Sequence, residues 1–324
     1  QVIQPTNAVF CAGTATTAIP FSTVNTGGTT TYNWSIDNNN LGLATSGSGS
    51  IPIFTPINNS TAPITATITV TPSFSNGGTP CIGTPKTFTI TINPKGQVNP
   101  ISSQIICNGS NTAAVTFNTN NTVGTTAYSW TNTNPNIGLP SPGTGNITPF
   151  TGTNGNNNPS GGTIEVTPTF TNATVSCPGP TQTFSITVNP APQVNDKSNL
   201  IFCHATSTTS INFTTSNTGS GTVSYNWTND TPSIGLAASG SGNIAGFTAT
   251  NTGAAPIIAT ITVTPSYLNG TVSCLGTAKT FTITVNPKPL IPNQTVTTCS
   301  GISFTITPVN TLPTTVLPNG TTYT

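Results

Sequence analysis

The sequence contains very little charge. Only 3% of its 324 residues are charged, and the net charge is +1, whereas a soluble domain ordinarily carries about a quarter charged residues. All five basic residues are lysines. They are too few for the basic stripe that nucleic acid requires, or for a basic amphipathic helix on a membrane surface. The composition therefore predicts no nucleic-acid partner and no membrane contact for this part of the protein.

Methionine and long apolar runs are also absent. No basic segment followed by an apolar segment opens the chain, and no apolar run reaches the 18 residues that a transmembrane helix needs. We therefore expect the native start codon, and any export signal or membrane anchor, to lie outside this sequence.

Residues that favour strands and turns take the place of charge. Threonine occurs 72 times, beside 31 glycines and 29 prolines; β-branched threonine suits strands, while glycine and proline disfavour helices. Apolar and threonine residues alternate from Ile64 to Thr71 and again from Thr87 to Ile92. This period of two predicts antiparallel sheets with one solvated face, packed in pairs as a sandwich.

An internal repeat of about 96 residues organises the chain. The 29-residue block from Ala66 to Pro94 recurs without gaps from Gly162 to Pro190 and from Ala259 to Pro287. A unit of this length can hold its own core. We predict three full domains and the start of a fourth, at residues 1–96, 97–192, 193–289 and 290–324. Short proline-containing linkers predict a semi-rigid rod of such domains.

Aromatic residues repeat with the same period. Trp34, Trp130 and Trp227 each follow a tyrosine by two residues, and Tyr323 matches those tyrosines in the incomplete fourth copy. An aromatic side chain that occurs once in every unit is more often part of the core than of a ligand platform. We therefore predict that the three tryptophans are buried.

The seven cysteines follow the repeat as well. Six of them divide into one pair per full repeat, and the seventh, Cys299, is expected to be unpaired because its mate would follow Thr324. Paired cysteines indicate an exported, extracellular protein. The pairs we predict, each closing a loop of about 70 residues, are Cys11–Cys81, Cys107–Cys177 and Cys203–Cys274.

Residues for catalysis or metal binding are sparse. His204 is the only histidine, and the other copies have Ala, Asn or Ser at its position. We interpret the four acids as lying at non-equivalent repeat positions, which provides no repeated acid–base pair and no calcium cluster. The sequence therefore predicts no enzyme activity, no cofactor and no metal site; the four acids are Asp37, Glu165, Asp196 and Asp230.

The block ITVTPSF…C…GTPKTFTITINP, the Tyr-Asn-Trp element and the paired cysteines resemble a known family. They are similar to the PKD-like repeats of very large Bacteroidota surface proteins, including gliding-motility adhesins exported by type IX secretion. The resemblance covers all three full repeats and the partial fourth. It implies an immunoglobulin-like sandwich, a location at the cell surface, and a structural or adhesive role.

Several functions remain open at this point. The leading interpretation is a non-catalytic stalk or filament segment of an adhesin, which could associate with copies of itself in a bundle. Contact with a surface polysaccharide or an abiotic surface would then occur through regions outside this sequence. The alternatives are a carbohydrate-binding module, which needs exposed aromatic residues, an accessory module of an extracellular enzyme, and an ice- or surface-binding protein with flat threonine faces.

Overall fold

The computed structural model describes residues 1–312 and 314–322, so Tyr323 lies outside the described residues. Three six-stranded sheets follow one another along the chain, which confirms the predicted all-β, immunoglobulin-like fold class. Within the described residues, helix is limited to single 3₁₀ turns at Asn39–Leu41, Pro135–Ile137 and Pro232–Ile234. No helix in those residues is long and apolar enough to cross a membrane.

The chain divides into two compact units. The first comprises Gln1–Gln104, Asn111–Phe150 and Gly161–Ile186, and the second comprises Ile105–Ser110, Thr151–Ser160 and Thr187–Thr324. This division does not test the repeat boundaries, so the four predicted domain ranges stay predictions.

The first sheet lies within the first unit. Its order is β1-β6-β4-β2-β3, with β5 paired to β4. Strand β1 runs parallel to β6, and the other pairs are antiparallel. The strands are β1 Ala8–Cys11, β2 Thr29–Ile36, β3 Ser46–Ser48, β4 Ile64–Ser75, β5 Cys81–Ile82 and β6 Lys86–Asn93.

The second and third sheets repeat this order. The second contains β7 Gln104–Cys107, β8 Thr125–Asn132, β9 Gly143–Thr144, β10 Ser160–Asn172, β11 Val175–Pro178 and β12 Gln182–Asn189. The third, within the second unit, contains β13 Leu200–Cys203, β14 Thr222–Asn229, β15 Ser239–Ser241, β16 Ile257–Asn269, β17 Val272–Leu275 and β18 Lys279–Asn286. In each sheet a short hairpin strand (β5, β11 or β17) pairs with the far end of the long central strand.

The layer opposite each sheet is built from extended segments joined by isolated bridges. Ile19 and Ile51 exchange both backbone hydrogen bonds at 3.0 Å, and Ile211 and Ile244 exchange theirs at 2.9 and 3.1 Å in the third copy. These segments cover the inner face of the sheet and close the core. The predicted sandwich therefore has one continuous sheet and one layer of mostly irregular chain.

The alternating strands bury the side chains that the pattern predicts. Ala66, Ile68 and Val70 of β4 are buried, while the intervening threonines lie on the outer face. There Thr65 and Thr91 share a hydrogen bond of 2.9 Å across β4 and β6. Each apolar side chain removed from water contributes about 1.5–3 kcal/mol to folding, which explains why the pattern fixes which face is inside.

The three tryptophans occupy the cores, as predicted. Trp34, Trp130 and Trp227 are all buried, on the central strands β2, β8 and β14. A glycine of the neighbouring strand lies under each ring. A Cβ atom on Gly240 would collide with the ring of Trp227, so this strand pairing requires a residue without a side chain.

Candidate functional site: the joints between repeats

His204 has a structural role. Its Nδ1 atom accepts the backbone N–H of Asn251 at 2.9 Å. In the second copy the Oδ1 atom of Asn108 accepts the N–H of Asn154 at 2.8 Å in the same way. An imidazole nitrogen and an amide oxygen can therefore substitute for each other here, which accounts for a histidine that occurs in a single copy.

Two of the four acids also bind backbone, and they lie at equivalent positions. Asp37 accepts the N–H of Thr67, and Asp230 accepts that of Thr260, both at 2.7 Å. Both pairs are 30 residues apart, and Asp230 is two repeats after Asp37. The interpretation that all four acids lie at non-equivalent positions is therefore wrong. The carboxylate at this position accepts a backbone N–H at the start of the long central strand. In the second copy the hydroxyl of Thr133 accepts the equivalent N–H, that of Thr163.

Hydrogen bonding perturbs one of these carboxyl groups. The backbone N–H of Thr260, followed by the hydroxyl of Thr231, holds the pKa of Asp230 below its ordinary value of 3.8. Both bonds stabilise the ionised form. A lowered pKa fits a carboxylate that accepts backbone hydrogen bonds. A general acid would instead need a raised pKa.

The remaining two acids are on the surface. Glu165 is exposed on β10, and Asp196 forms an exposed ion pair of 2.7 Å with Lys279, a type of contact worth about 0–1 kcal/mol. Within residues 1–312 and 314–322, no three metal-binding side chains cluster.

Two equivalent hollows lie beside the linkers, one in each unit. The first encloses about 450 Å³ beside Gly13, Asn58 and Lys95. The second encloses about 350 Å³ beside Ala205, Asn251 and Lys288. The first is lined by backbone and neutral side chains with one lysine. The second is lined by Lys288 and also by His204, whose Nδ1 is already hydrogen-bonded to the N–H of Asn251.

The disulfides join successive repeats, and the predicted pairing is wrong. Cys11 bonds Cys177, with the Cα atoms 5.4 Å apart, in the first unit. Cys107 bonds Cys274, with a Cα separation of 5.5 Å, in the second unit. In each case the first cysteine of one repeat bonds the second cysteine of the next. Cys81, Cys203 and Cys299 are free and exposed.

The geometry of the sheet explains this correction. Cys11 is in register with Asn93, at the end of β6, whereas Cys81 is in register with Phe74, near the opposite end of β4. Ten residues of β4 separate Phe74 from Ile64, which pairs with Ile92 beside Asn93. At about 3.3 Å per residue this is roughly 33 Å, while a disulfide needs Cα atoms within about 7 Å. The same distance excludes the predicted bonds Cys107–Cys177 and Cys203–Cys274. The prediction of one disulfide inside each domain is therefore wrong.

A pair of asparagines accompanies each disulfide. Asn93 is fully buried; its Oδ1 accepts from the side chain of Asn172 at 2.9 Å, and its Nδ2 donates to the carbonyl of Asn172 at 3.1 Å. In the second unit the side chain of Asn269 donates to Oδ1 of the fully buried Asn189 at 2.7 Å. A buried amide without partners would cost about 1–3 kcal/mol, so these pairs specify how the ends of two repeats meet.

Another asparagine holds the linker. The side chain of Asn121 accepts the N–H of Gln97 at 2.8 Å and donates to the carbonyl of Lys95 at 3.2 Å. Asn217 repeats this with the N–H of Gln193 at 2.6 Å and the carbonyl of Ala191 at 3.0 Å. In each linker one asparagine side chain thus bonds both a carbonyl and an N–H of the linker backbone, which restricts the linker's conformation.

Glycine permits the closest approach at each joint. A Cβ atom on Gly179 would collide with the carbonyl oxygen of Gly96, and one on Gly276 with that of Pro192. Both glycines come two residues after the disulfide-bonded cysteine of their repeat. We use "joint" for the disulfide, the asparagine pair and this glycine contact together.

Sequence reasoning missed a second set of buried asparagines. Asn58, Asn154 and Asn251 are buried, and each donates to the carbonyl of a residue on the last strand of its sheet at 2.7–2.8 Å. Their recurrence at the repeat period, in a loop with no alternating pattern, was the signal that could have identified them.

Comparison with known proteins gives one family match and several similar solved structures. Residues 8–96 match the family model of a PKD-like domain. No curated protein matches the chain. Three immunoglobulin domains of titin are similar, with 11% identity, a TM-score of 0.43, and coverage of 88% of this chain and 96% of theirs. A segment of mouse cadherin-23 has 14% identity, a TM-score of 0.36 and the same coverages.

The three N-terminal domains of the Hoc outer capsid protein of bacteriophage RB49 have 13% identity and a TM-score of 0.39, covering 86% of this chain and 96% of theirs. Disulfides are typical of exported proteins. The three repeated sheets make the chain a tandem array of immunoglobulin-like domains, and residues 8–96 of that array are similar to a PKD-like domain.

Proposed function

We propose that this chain is a tension-bearing stalk segment of a cell-surface adhesin, in which each repeat is covalently tied to the next. The single observation that carries the proposal is the pairing of Cys11 with Cys177 and of Cys107 with Cys274. The two bonds close overlapping covalent loops. An array that serves only as a flexible tether gains nothing from bonds between consecutive repeats, whereas an array under load does.

The overlap shortens the covalent path through the array. Along the backbone, 263 residues separate Cys11 from Cys274. Through both disulfides the path runs from Cys11 to Cys177, back along 70 residues to Cys107, and across to Cys274. At about 3.4 Å per extended residue, the maximum separation of Cys11 and Cys274 falls from roughly 900 Å to roughly 240 Å.

The other features of the chain support a passive role. Exposed tyrosine or tryptophan would favour carbohydrate binding, but among the described residues the tryptophans are buried and the tyrosines are buried or half-buried. The resemblance to Bacteroidota gliding-motility adhesins supports export and a place at the cell surface. In this proposal any adhesive contact is made by other parts of the protein.

Single-molecule pulling on the two ends of the chain tests the proposal. We expect the oxidised protein to stop extending when the Cys11–Cys274 segment reaches about 240 Å, and the reduced protein to release about 900 Å from that segment. In the double variant C11S/C177S the path becomes 96 residues, from Cys11 to Cys107, or about 330 Å.

The matched control is Cys81→Ser, which removes a free thiol. It should leave the maximum extension of the oxidised chain unchanged. An oxidised chain that extends as far as the reduced one would refute the proposal.

A further inference from the structure

The two cysteines of each joint disulfide differ in their access to solvent. Cys177 and Cys274 are 0% and 2% exposed, whereas Cys11 and Cys107 are half-buried. A missing neighbour does not account for the exposure of Cys107, because one complete sheet precedes its own sheet along the chain and another follows it. In both joints, therefore, a reagent in solution reaches the first cysteine of the pair more easily than the second.

The buried sulfur of the second joint also has a hydrogen-bond donor. The Nδ2 atom of the fully buried Asn189 donates to Sγ of Cys274 at 3.7 Å. The orientation of this amide is fixed, because its Oδ1 atom accepts from the side chain of Asn269 at 2.7 Å. A hydrogen-bond donor stabilises the charged form of the group to which it points. The site around Cys274 thus favours a thiolate on that sulfur.

The more exposed sulfur of the same joint has the opposite environment. The carbonyl oxygen of Ser273 lies 3.8 Å from Sγ of Cys107. This oxygen carries a partial negative charge, which disfavours a thiolate at Cys107. Solvent access and electrostatics therefore favour the same direction of cleavage, in which Cys107 is attacked and Cys274 departs.

We propose that Cys107 is a site of reversible modification by a small thiol such as glutathione, with Cys274 as the leaving sulfur. The attacking thiolate forms a disulfide with Sγ of Cys107 as the Cys107–Cys274 bond breaks. Sγ of Cys274 keeps the electron pair of that bond, accepts the N–H of Asn189 and then takes a proton from water. A second glutathione attacks the glutathione sulfur of the mixed disulfide, which releases the Cys107 thiol and one molecule of oxidised glutathione.

This chemistry makes the joint a reversible lock. Opening the bond frees a covalent loop that spans 167 residues. The asparagine pair and the contact of Gly276 with Pro192 do not depend on the bond, so they keep the two thiols close together. Oxidised glutathione can then restore the disulfide by the reverse steps. The inference goes beyond the load-bearing role, because it holds whether or not the chain carries tension.

The first joint provides an internal comparison. There the Nδ2 atom of Asn93 donates to the carbonyls of Asn172 and Val175, at 3.1 and 3.3 Å, whereas the equivalent atom of Asn189 donates to sulfur. Both joints expose their first cysteine, but this amide stabilises the leaving sulfur in the second joint alone. We therefore expect glutathione to open the second joint about threefold faster than the first.

The position of the first glutathione adduct tests the proposal on the unaltered protein. The three free, exposed thiols are first blocked with N-ethylmaleimide under native conditions. Reduced glutathione is then added, and the reaction is stopped with acid after short times. Deuterated N-ethylmaleimide labels each newly released thiol, and fragmentation mass spectrometry locates both modifications. We expect glutathione on Cys107 and the deuterated label on Cys274.

Two alanine variants separate stabilisation of the leaving sulfur from a purely structural role of the amide. Asn189→Ala removes the N–H donated to sulfur, so it should slow the opening of the second joint about threefold. If the amide only held the joint closed, its loss would expose Cys274 and speed the reaction. Asn93→Ala is the matched control, because it removes an equally buried amide that donates to carbonyls. It should not slow the opening of the first joint.

Three results would overturn the proposal. The first is glutathione on Cys274, or in equal amounts on Cys107 and Cys274. The second is a Cys107–Cys274 bond that glutathione opens only after denaturant has unfolded the protein. The third is a second joint that opens faster in Asn189→Ala than in the wild type. The first two are measured on the unaltered protein, so they decide the question even where a variant fails to fold.

Discussion

At the scale of single residues, packing of each core tryptophan requires a glycine beneath its ring. Because a Cβ atom on Gly240 would collide with the ring of Trp227, Gly240→Ala must displace the largest side chain of its core. Overpacking of this kind costs about 1–3 kcal/mol. We expect Gly240→Ala to lower the free energy of unfolding by that amount, measured by urea denaturation.

Gly78→Ala is the matched control, because a Cβ atom there meets nothing within 4 Å and φ is not in the left-handed region. Its effect should stay within about 0.5 kcal/mol. Equal losses from both substitutions would show that contact with the tryptophan is not what selects glycine.

Asp230 makes a pH-dependent contribution to stability. Its pKa is lowered in the folded protein, so the folded state binds this proton less readily than the unfolded state. The stabilisation is therefore complete above the ordinary value of 3.8 and is lost as the pH falls through the folded pKa. We expect Asp230→Asn to reduce the loss of melting temperature between pH 5 and pH 2, with the exposed Glu165→Gln as control. An NMR titration that gives Asp230 a pKa above 3.8 would contradict this assignment.

At the scale of secondary-structure elements, the buried asparagines attach irregular loops to strands. Asn251 donates to the carbonyls of Ala255 and Val285 and accepts the N–H of Gly253. Asn251→Ala would leave the buried carbonyl of Val285 unpaired, at about 1–3 kcal/mol.

Denaturant unfolding of Asn251→Ala should show that loss, whereas Asn226→Ala, at an exposed position of β14, should change stability by less than about 0.5 kcal/mol. Wild-type stability in Asn251→Ala would mean that water satisfies the freed groups.

The strands were predictable from sequence because burial of one face imposes a period of two. The pattern in β4 identifies Ile68 and Val70 as core residues without any knowledge of the partner strand. The opposite layer was not predictable in the same detail, because its segments are held by single bridges such as Ile19–Ile51 and have no sustained alternation. The role of His204 depends on a backbone N–H that is 47 residues away, which no local pattern reveals.

At the scale of the whole molecule, repetition itself concealed the cysteine pairing. Bonds within a repeat and bonds from one repeat to the next produce the same spacing of cysteines, one pair in every 96 or so residues. Only the register of the strands distinguishes these two pairing schemes, because it places Cys11 and Cys81 at opposite ends of a sheet. The sequence thus predicted domains and cysteine chemistry, but not that the chemistry connects the domains.

The few lysines allow a decisive test of this connection. Cleavage after lysine places Cys11 and Cys81 in residues 1–86, Cys107 and Cys177 in residues 96–197, and Cys203 and Cys274 in residues 198–279. The protein is first denatured with its free thiols blocked, so that disulfides cannot exchange, and is then digested without reduction.

Because Cys11–Cys177 and Cys107–Cys274 each span two of these fragments, we expect mass spectrometry to find all three in one covalent species. Reduction should separate them. Three separate peptides before reduction would show that the bonds lie inside the repeats; the joints would then lack their covalent component, and the shortened path under load would not exist.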